Sequence, residues 1–274
     1  MNISWTPRKA ATAYCLIILG FFLGFFIPLI FLVEEEKDSD LTQDDLVTLP
    51  EEVPDFASIE DVRLKKQMFF DYIEPYVDAV NKDIIRQRER VLMIRSALRA
   101  GEALTDSDHR YISTLAEQYE LEAEDYTSSE FINVLLRRVD KIPASLALAQ
   151  AANESAWGTS RFAQDGNNFF GQWCYTDGCG IVPSRRREGT SHEVRRYENV
   201  RDSVEAYIHN LNTFPSYQML RRIRQQLRRQ ERPVDGISLA DGLESYSSRG
   251  HDYIDEVQRM IFSNNLLTRD NHAL

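Results

Sequence analysis

Residues 143–158 read PASLALAQAANESAWG, and this stretch decides the fold. Pro143 suits the first position of a helix, where its missing N–H would have had no partner anyway. The residues after it are apolar on nearly every face as far as Ala152, and Gly158 is a natural residue just past a helix end. A helix with no polar face belongs inside a domain. The sequence thus predicts a buried central helix with the rest of the domain wrapped around it. Glu154 stands at the C-terminal end of that helix, after Ala151 and Ala152 and before Trp157. Burial and the negative end of the helix dipole both disfavour its ionisation. Such a glutamate holds its proton to higher pH than a surface one, as a general acid must. A surface glutamate at a fraying helix end would have the same sequence neighbours, so the residues alone leave both readings open.

Outward toward the C-terminus, residues 181–197, broken at Glu188-Gly189-Thr190, read as a strand pair closed by a turn. Three apolar rows then fall at helical spacing: Val204, Tyr207, Ile208 and Leu211; Leu220, Ile223 and Leu227; and Ile254, Val257 and Ile261. The second row is narrow, and its helix also carries Arg221, Arg222, Arg224, Arg228 and Arg229, with Arg232 just beyond. A solvated face is the expected reading; a basic surface for anionic partners such as lipid is the sharper one. Toward the N-terminus, two helices come first, the second over 84–100 with a stop at Gly101. Another starts at Thr105, with Asp106 and Asp108 in its first turn, and Thr127 with Glu130 forms a capping-box pattern for a fourth. Residues 62–142 show no sign of chemistry and read as a supporting helical part. Residues 143–266 read as the catalytic part and 267–274 as a tail. The fold class is α+β, mainly α, with one small β-hairpin.

The first 61 residues differ in kind. Residues 11–33 hold no charge in 23 positions, enough at ~1.5 Å per residue to cross a ~30 Å hydrocarbon core as one transmembrane helix. The run passes straight into Glu34-Glu35-Glu36 without a small-x-small cleavage site, which favours an uncleaved anchor. Arg8 and Lys9 precede it, which puts the short N-terminus in the cytoplasm and the bulk of the protein outside. Residues 34–61 hold twelve acids against Lys37 and read as an extended, self-repelling linker. The chain's net charge is −11, but residues 62–274 carry only −2 of it, so the acidity describes the linker and not the folded part. Cys15 falls in the predicted span. Cys174 and Cys179 bracket the loop CYTDGC, where a disulfide is allowed outside the cytoplasm; metal ligation is the rival, weakened by the lack of a second ligand pair. For a domain outside the membrane, nucleic acid is not an expected partner.

The run NESAWGTSRFA followed by NNFFGQWC resembles the Glu-Ser-x-Trp-Gly and Asn-x-Phe-Gly motifs of bacterial N-acetylglucosaminidases of the flagellar-rod and autolysin type, glycoside hydrolase family 73. The cysteine pair, NLNTFPSYQMLR and ESYSSRGHDY follow in the order of the Bax-type subgroup, so the similarity spans about 69–266. The resemblance implies a lysozyme-like helical fold with a groove for peptidoglycan glycan strands, Glu154 as general acid, and no metal or organic cofactor. It implies that Asn168, Phe169, Phe170 and Gly171 shape the groove floor. Trp157 and Trp173 flank the motif and suit either sugar stacking or packing. Glu188 on the hairpin is the best-placed second carboxylate and Glu193 the next; failing both, the substrate's own acetamido group could act as nucleophile. Tyr246 matches the family's tyrosine at the cleaved bond, as an orienting hydrogen-bond donor, and Tyr253 closes the same motif by packing. Ser247, Ser248 and Arg249 depart from the family's Ala-Thr-Asp there.

Overall fold

The computed structural model describes residues 49–270 apart from Glu51, Arg185, Arg187, Glu188 and Thr190. The predicted span at 11–33 and residues 34–48 of the linker lie outside them. Among the described residues no helix is long and apolar enough to cross a membrane.

The first helix, α1 (Val62–Ala100), is one unbroken element of 39 residues where the sequence suggested two. Pro75 lies inside it and removes one backbone bond, but the buried row from Phe69 through Ile73, Val77, Val80 and Ile84 to Val91 and Ile94 keeps one face on the core throughout. Tertiary burial outweighs the local break. The helix stops at Gly101, whose left-handed conformation (φ 75°) lets the amides of Gly101 and Glu102 close on the carbonyls of Leu98 and Ala97.

Next come α2 (Asp106–Gln118), α3 (Ser129–Arg138) and α4 (Ala144–Glu154). Thr105 and Asp108 form the capping box of α2. The cap of α3 is Ser128, which accepts from Phe131 N; Thr127 instead hydrogen bonds to Asp125, one residue out of the predicted register. Helix α4 is the central element, with every residue from Ala144 to Ala152 buried. Its start is pinned by buried Asn81 of α1, which donates to Ile142 O and accepts from Ile142 N. Pro143 precedes the first helical residue as the cap instead of occupying it.

The chain continues through α5 (Arg161–Gly166) into a three-stranded antiparallel sheet, β1 (Trp173–Cys174), β2 (Gly180–Ile181) and β3 (Glu193–Arg195), ordered β1-β3-β2. Strands β2 and β3 are the predicted hairpin, and β1 adds an edge the sequence did not show. Helices α6 (Val200–Thr213), α7 (Gln218–Arg229), α8 (Gly236–Ala240) and α9 (His251–Ser263) follow, and α8 and α9 pack directly on α4. Among the described residues this makes nine α-helices and one small sheet.

Both ends of the folded part reach further than the sequence suggested. Within the stretch read as linker, Phe56 is wholly buried, a 3-10 turn spans Phe56–Ser58, and Leu49 and Val53 pack on the core. Phe56 meets Phe69 and Tyr72 edge to face, so a few apolar side chains dock an otherwise acidic segment. At the other end, a 3-10 turn over Leu266–Arg269 extends into the predicted tail. Asp270 accepts from both the amide and the hydroxyl of Ser145, capping the start of α4, and Arg269 pairs with Asp71 and Glu74 of α1.

Candidate active site

The C-terminal end of α4 is shaped by a sharp reversal. Ala156, Trp157 and Gly158 all take positive φ, at 52°, 59° and 74°. Ser155 steadies the turn by donating to Ala151 O and accepting from Gly158 N. Position 158 tolerates only glycine, because an added Cβ would lie 2.5 Å from the Phe56 ring. The docked N-terminal segment and the turn after Glu154 therefore lock one another.

Glu154 is half-buried at this corner. Tyr253 of α9 donates to its Oε1 at 2.8 Å. Behind Tyr253 lies a buried relay: Tyr207 donates to Gln150 Oε1 at 2.7 Å, and Gln150 Nε2 donates to the Tyr253 hydroxyl at 3.0 Å. Gln150 sits one helical turn before Glu154 on the same face. Gly171 comes close to the other carboxylate oxygen; a Cβ there would stand 3.5 Å from Oε2, and the residue's φ of 66° also favours glycine. Burial pushes the carboxyl of Glu154 above the usual glutamate range, and Glu256 adds to it; the Tyr253 hydrogen bond and Arg249 only partly oppose this.

Tyr253, expected to pack, holds the carboxylate. Tyr246 stacks on Tyr253 with centroids 5.3 Å apart, and its hydroxyl donates to Phe170 O at 3.3 Å. Arg249, where the chain departs from the family pattern, lies over the Tyr253 ring and pairs with Glu256. Sequence reasoning missed Gln150 and Tyr207. A lone glutamine in an otherwise apolar helix, four residues before the acid, was the available signal.

The residues expected to shape the groove floor build the loop itself. Buried Asn168 donates to the carbonyls of Gln172 and Arg195 and accepts from the amides of Phe170 and Gln172, so its hydrogen-bonding groups are engaged by backbone. Phe170 is buried and stacked on Tyr207, with centroids 3.9 Å apart. Trp157 packs edge-on against Phe69 and Phe70 beneath Lys66. Trp173 is different: it is 54% exposed on β1, stacked on His192, with a ring face suited to a sugar. Cys174 and Cys179 are joined in a disulfide. Glu193 lies beside it and accepts from the amides of Gly178 and Gly180, which hold its carboxyl below the usual range. This carboxylate organises the disulfide loop. Glu188 lies outside the described residues.

Over 201 residues the chain is 31% identical to Protein bax of Escherichia coli strain K12, covering 73% of this chain and 70% of that protein. The chain belongs to the Bax-type glucosaminidase family. Residues 132–266 match the glucosaminidase family described as mannosyl-glycoprotein endo-beta-N-acetylglucosaminidase, a span that takes in Glu154, the sheet and α6 to α9. Among solved structures, the catalytic domain of the autolysin Auto from Listeria monocytogenes aligns with a TM-score of 0.42 and 16% identity, over 78% of this chain and 92% of that one. The Bax-type match begins well before the glucosaminidase span, so the family includes much of α1 to α3 as well as the catalytic part.

Proposed function

We propose that this chain hydrolyses the β-1,4 glycosidic bonds of peptidoglycan glycan strands, on the reducing side of N-acetylglucosamine, with Glu154 as general acid. One observation carries the reading: a half-buried glutamate held above the usual carboxylate range, with a tyrosine donating to one oxygen and a glycine leaving space over the other. Because Tyr253 donates to Oε1, the proton of the acid belongs on Oε2, facing the space above Gly171. A glycosidic oxygen placed there receives that proton as its bond to the sugar breaks. Trp173 offers the sugar a stacking face nearby along the loop. With Glu193 engaged by backbone amides, attack on the other face of the sugar falls to Glu188 or to the substrate's acetamido oxygen.

The placement we propose is the inner membrane of a bacterium, through an uncleaved helix at 11–33, with the folded part in the periplasm. The 23 uncharged residues after Arg8 and Lys9 support it. Recovery of a soluble periplasmic form beginning after Val33 would remove the anchor.

Mass analysis of digested sacculi tests the bond. New reducing N-acetylglucosamine ends support the proposal. Reducing or anhydro-muramic ends would show a muramidase or lytic transglycosylase, and no products would show a wall-binding protein without turnover.

A further inference from the structure

At the opposite end of α4 from Glu154, helices α1, α3 and α7 enclose an open cavity of about 540 Å³. Helix α4 has 11 residues, so at ~1.5 Å per residue roughly 16 Å of helix separates the cavity's Asp140 from the glycan-cleaving corner. The volume falls within the range of about 300–1,000 Å³ common for small-molecule sites. Eight arginines and one carboxylate line it, a net of +7.

These arginines divide into two sets. Arg88, Arg221 and Arg224 are fixed by backbone carbonyls, and Arg88, Arg224 and Arg228 surround Asp140. They form the wall. Arg95, Arg99, Arg137 and Arg229 have no carboxylate paired with their guanidiniums among the described residues. They reach the same space from three helices and repel one another across it. Leu92 and Leu136 add an apolar patch.

We propose that this cavity binds a phosphate-bearing anion. A carboxylate is planar, carries one charge and is satisfied by one guanidinium fork. A phosphoryl group is tetrahedral, carries up to two charges and accepts forks from several directions, which matches four arginines converging from three helices. The apolar patch suits the organic part of a phosphate ester. The same chemistry is offered by a soluble organic phosphate and by an anionic lipid headgroup. The site is separate from the glycan-cleaving corner.

The test uses the full chain in non-ionic detergent, with inorganic pyrophosphate as soluble probe and phosphatidylglycerol vesicles as membrane probe, both at 0.15 M salt, about physiological ionic strength. Pyrophosphate should bind saturably and raise the melting temperature. Binding should weaken at least tenfold in Arg95→Gln/Arg99→Gln/Arg229→Gln, and by less than twofold in Arg222→Gln, an exposed arginine of α7 outside the cavity lining. Should the triple variant fail to fold, exposed Arg99→Gln alone carries the comparison. Saturable pyrophosphate binding identifies a soluble phosphate; arginine-dependent vesicle binding without it identifies a headgroup. Neither probe binding, or Arg222→Gln losing as much as the cavity variants, would overturn the site.

Discussion

Asp140 and Glu154 stand just outside the start and at the end of the same buried helix, yet the protein treats them in opposite ways. Asp140 is 2% exposed, and burial alone would push its carboxyl up; Arg224, Arg88 and Arg228 reverse this and hold it below the usual aspartate range. Glu154 is less buried, yet burial pushes its carboxyl up, because the hydrogen bond from neutral Tyr253 and the charge of Arg249, which is shared with Glu256, oppose it only in part. Depth of burial does not decide which carboxylate keeps its proton; the charge of the neighbours does. One end of α4 is thereby a structural ion cluster, and the other holds the carboxyl that we propose as the acid.

The sharpest way to break the comparison is to remove Asp140. Asp140→Ala leaves three arginines without their counter-charge, and Arg224 is the largest fully buried side chain of the domain. The expected loss is about 3–5 kcal/mol of stability, read from urea unfolding. Since Asp140 is depressed in the folded state, its contribution is complete above its unfolded value of about 3.9 and is lost as pH falls through the lower folded value. The wild type should therefore lose stability below about pH 4, and the variant should show less of that loss. An unchanged unfolding midpoint would mean that the cluster contributes no net stability.

A smaller effect tests the other end. Tyr253→Phe removes the hydrogen bond that favours the charged form of Glu154 while keeping the ring that Tyr246 stacks on. We expect about a tenfold fall in kcat, the equivalent of ~1.4 kcal/mol, with little change in KM. The alkaline limb of the activity profile should move to higher pH, because the acid then holds its proton longer. A profile that does not move would reduce Tyr253 to packing.

The smallest effect is on stability at Glu154 itself. With a raised folded value, the native state holds more protons than the unfolded state between the unfolded value and the folded one. Stability attributable to Glu154 thus falls as pH rises through that window. Glu154→Gln, which stays neutral, should melt slightly higher than wild type at neutral pH and identically below about pH 4. A lower melting temperature at neutral pH would contradict the assigned direction.

What the sequence showed and what it hid follow from the range of the interactions involved. Helix α4 and the β2-β3 hairpin are written in local pattern, and both were legible, although the helix ends at Glu154, four residues before the Gly158 that marked its stop in sequence. Arg221 and Arg224 read as solvated, since helical spacing places them beside the apolar stripe without revealing that carbonyls 7 to 87 residues away would take up their donors. Phe56 was lost in an acidic run because one apolar residue makes no period. Tyr246 and Tyr253 share a motif, and only the packing of α9 against α4 decides which hydroxyl meets Glu154. The loop motif was read as shaping the groove floor, and only the contacts show how: Asn168 and Phe170 use their groups to hold the loop's own shape.

The central claim is that Glu154 donates the proton, and the most direct measurement is the release of reducing ends from purified sacculi by wild type and Glu154→Gln side by side. The amide is nearly isosteric and can still accept from Tyr253, so the fold should persist, as an undiminished melting temperature would verify. The account predicts at least about a 100-fold loss of cleavage, the lower end of what a positioned general acid contributes. A well-folded Glu154→Gln protein that still cleaves at a rate near wild type would contradict it.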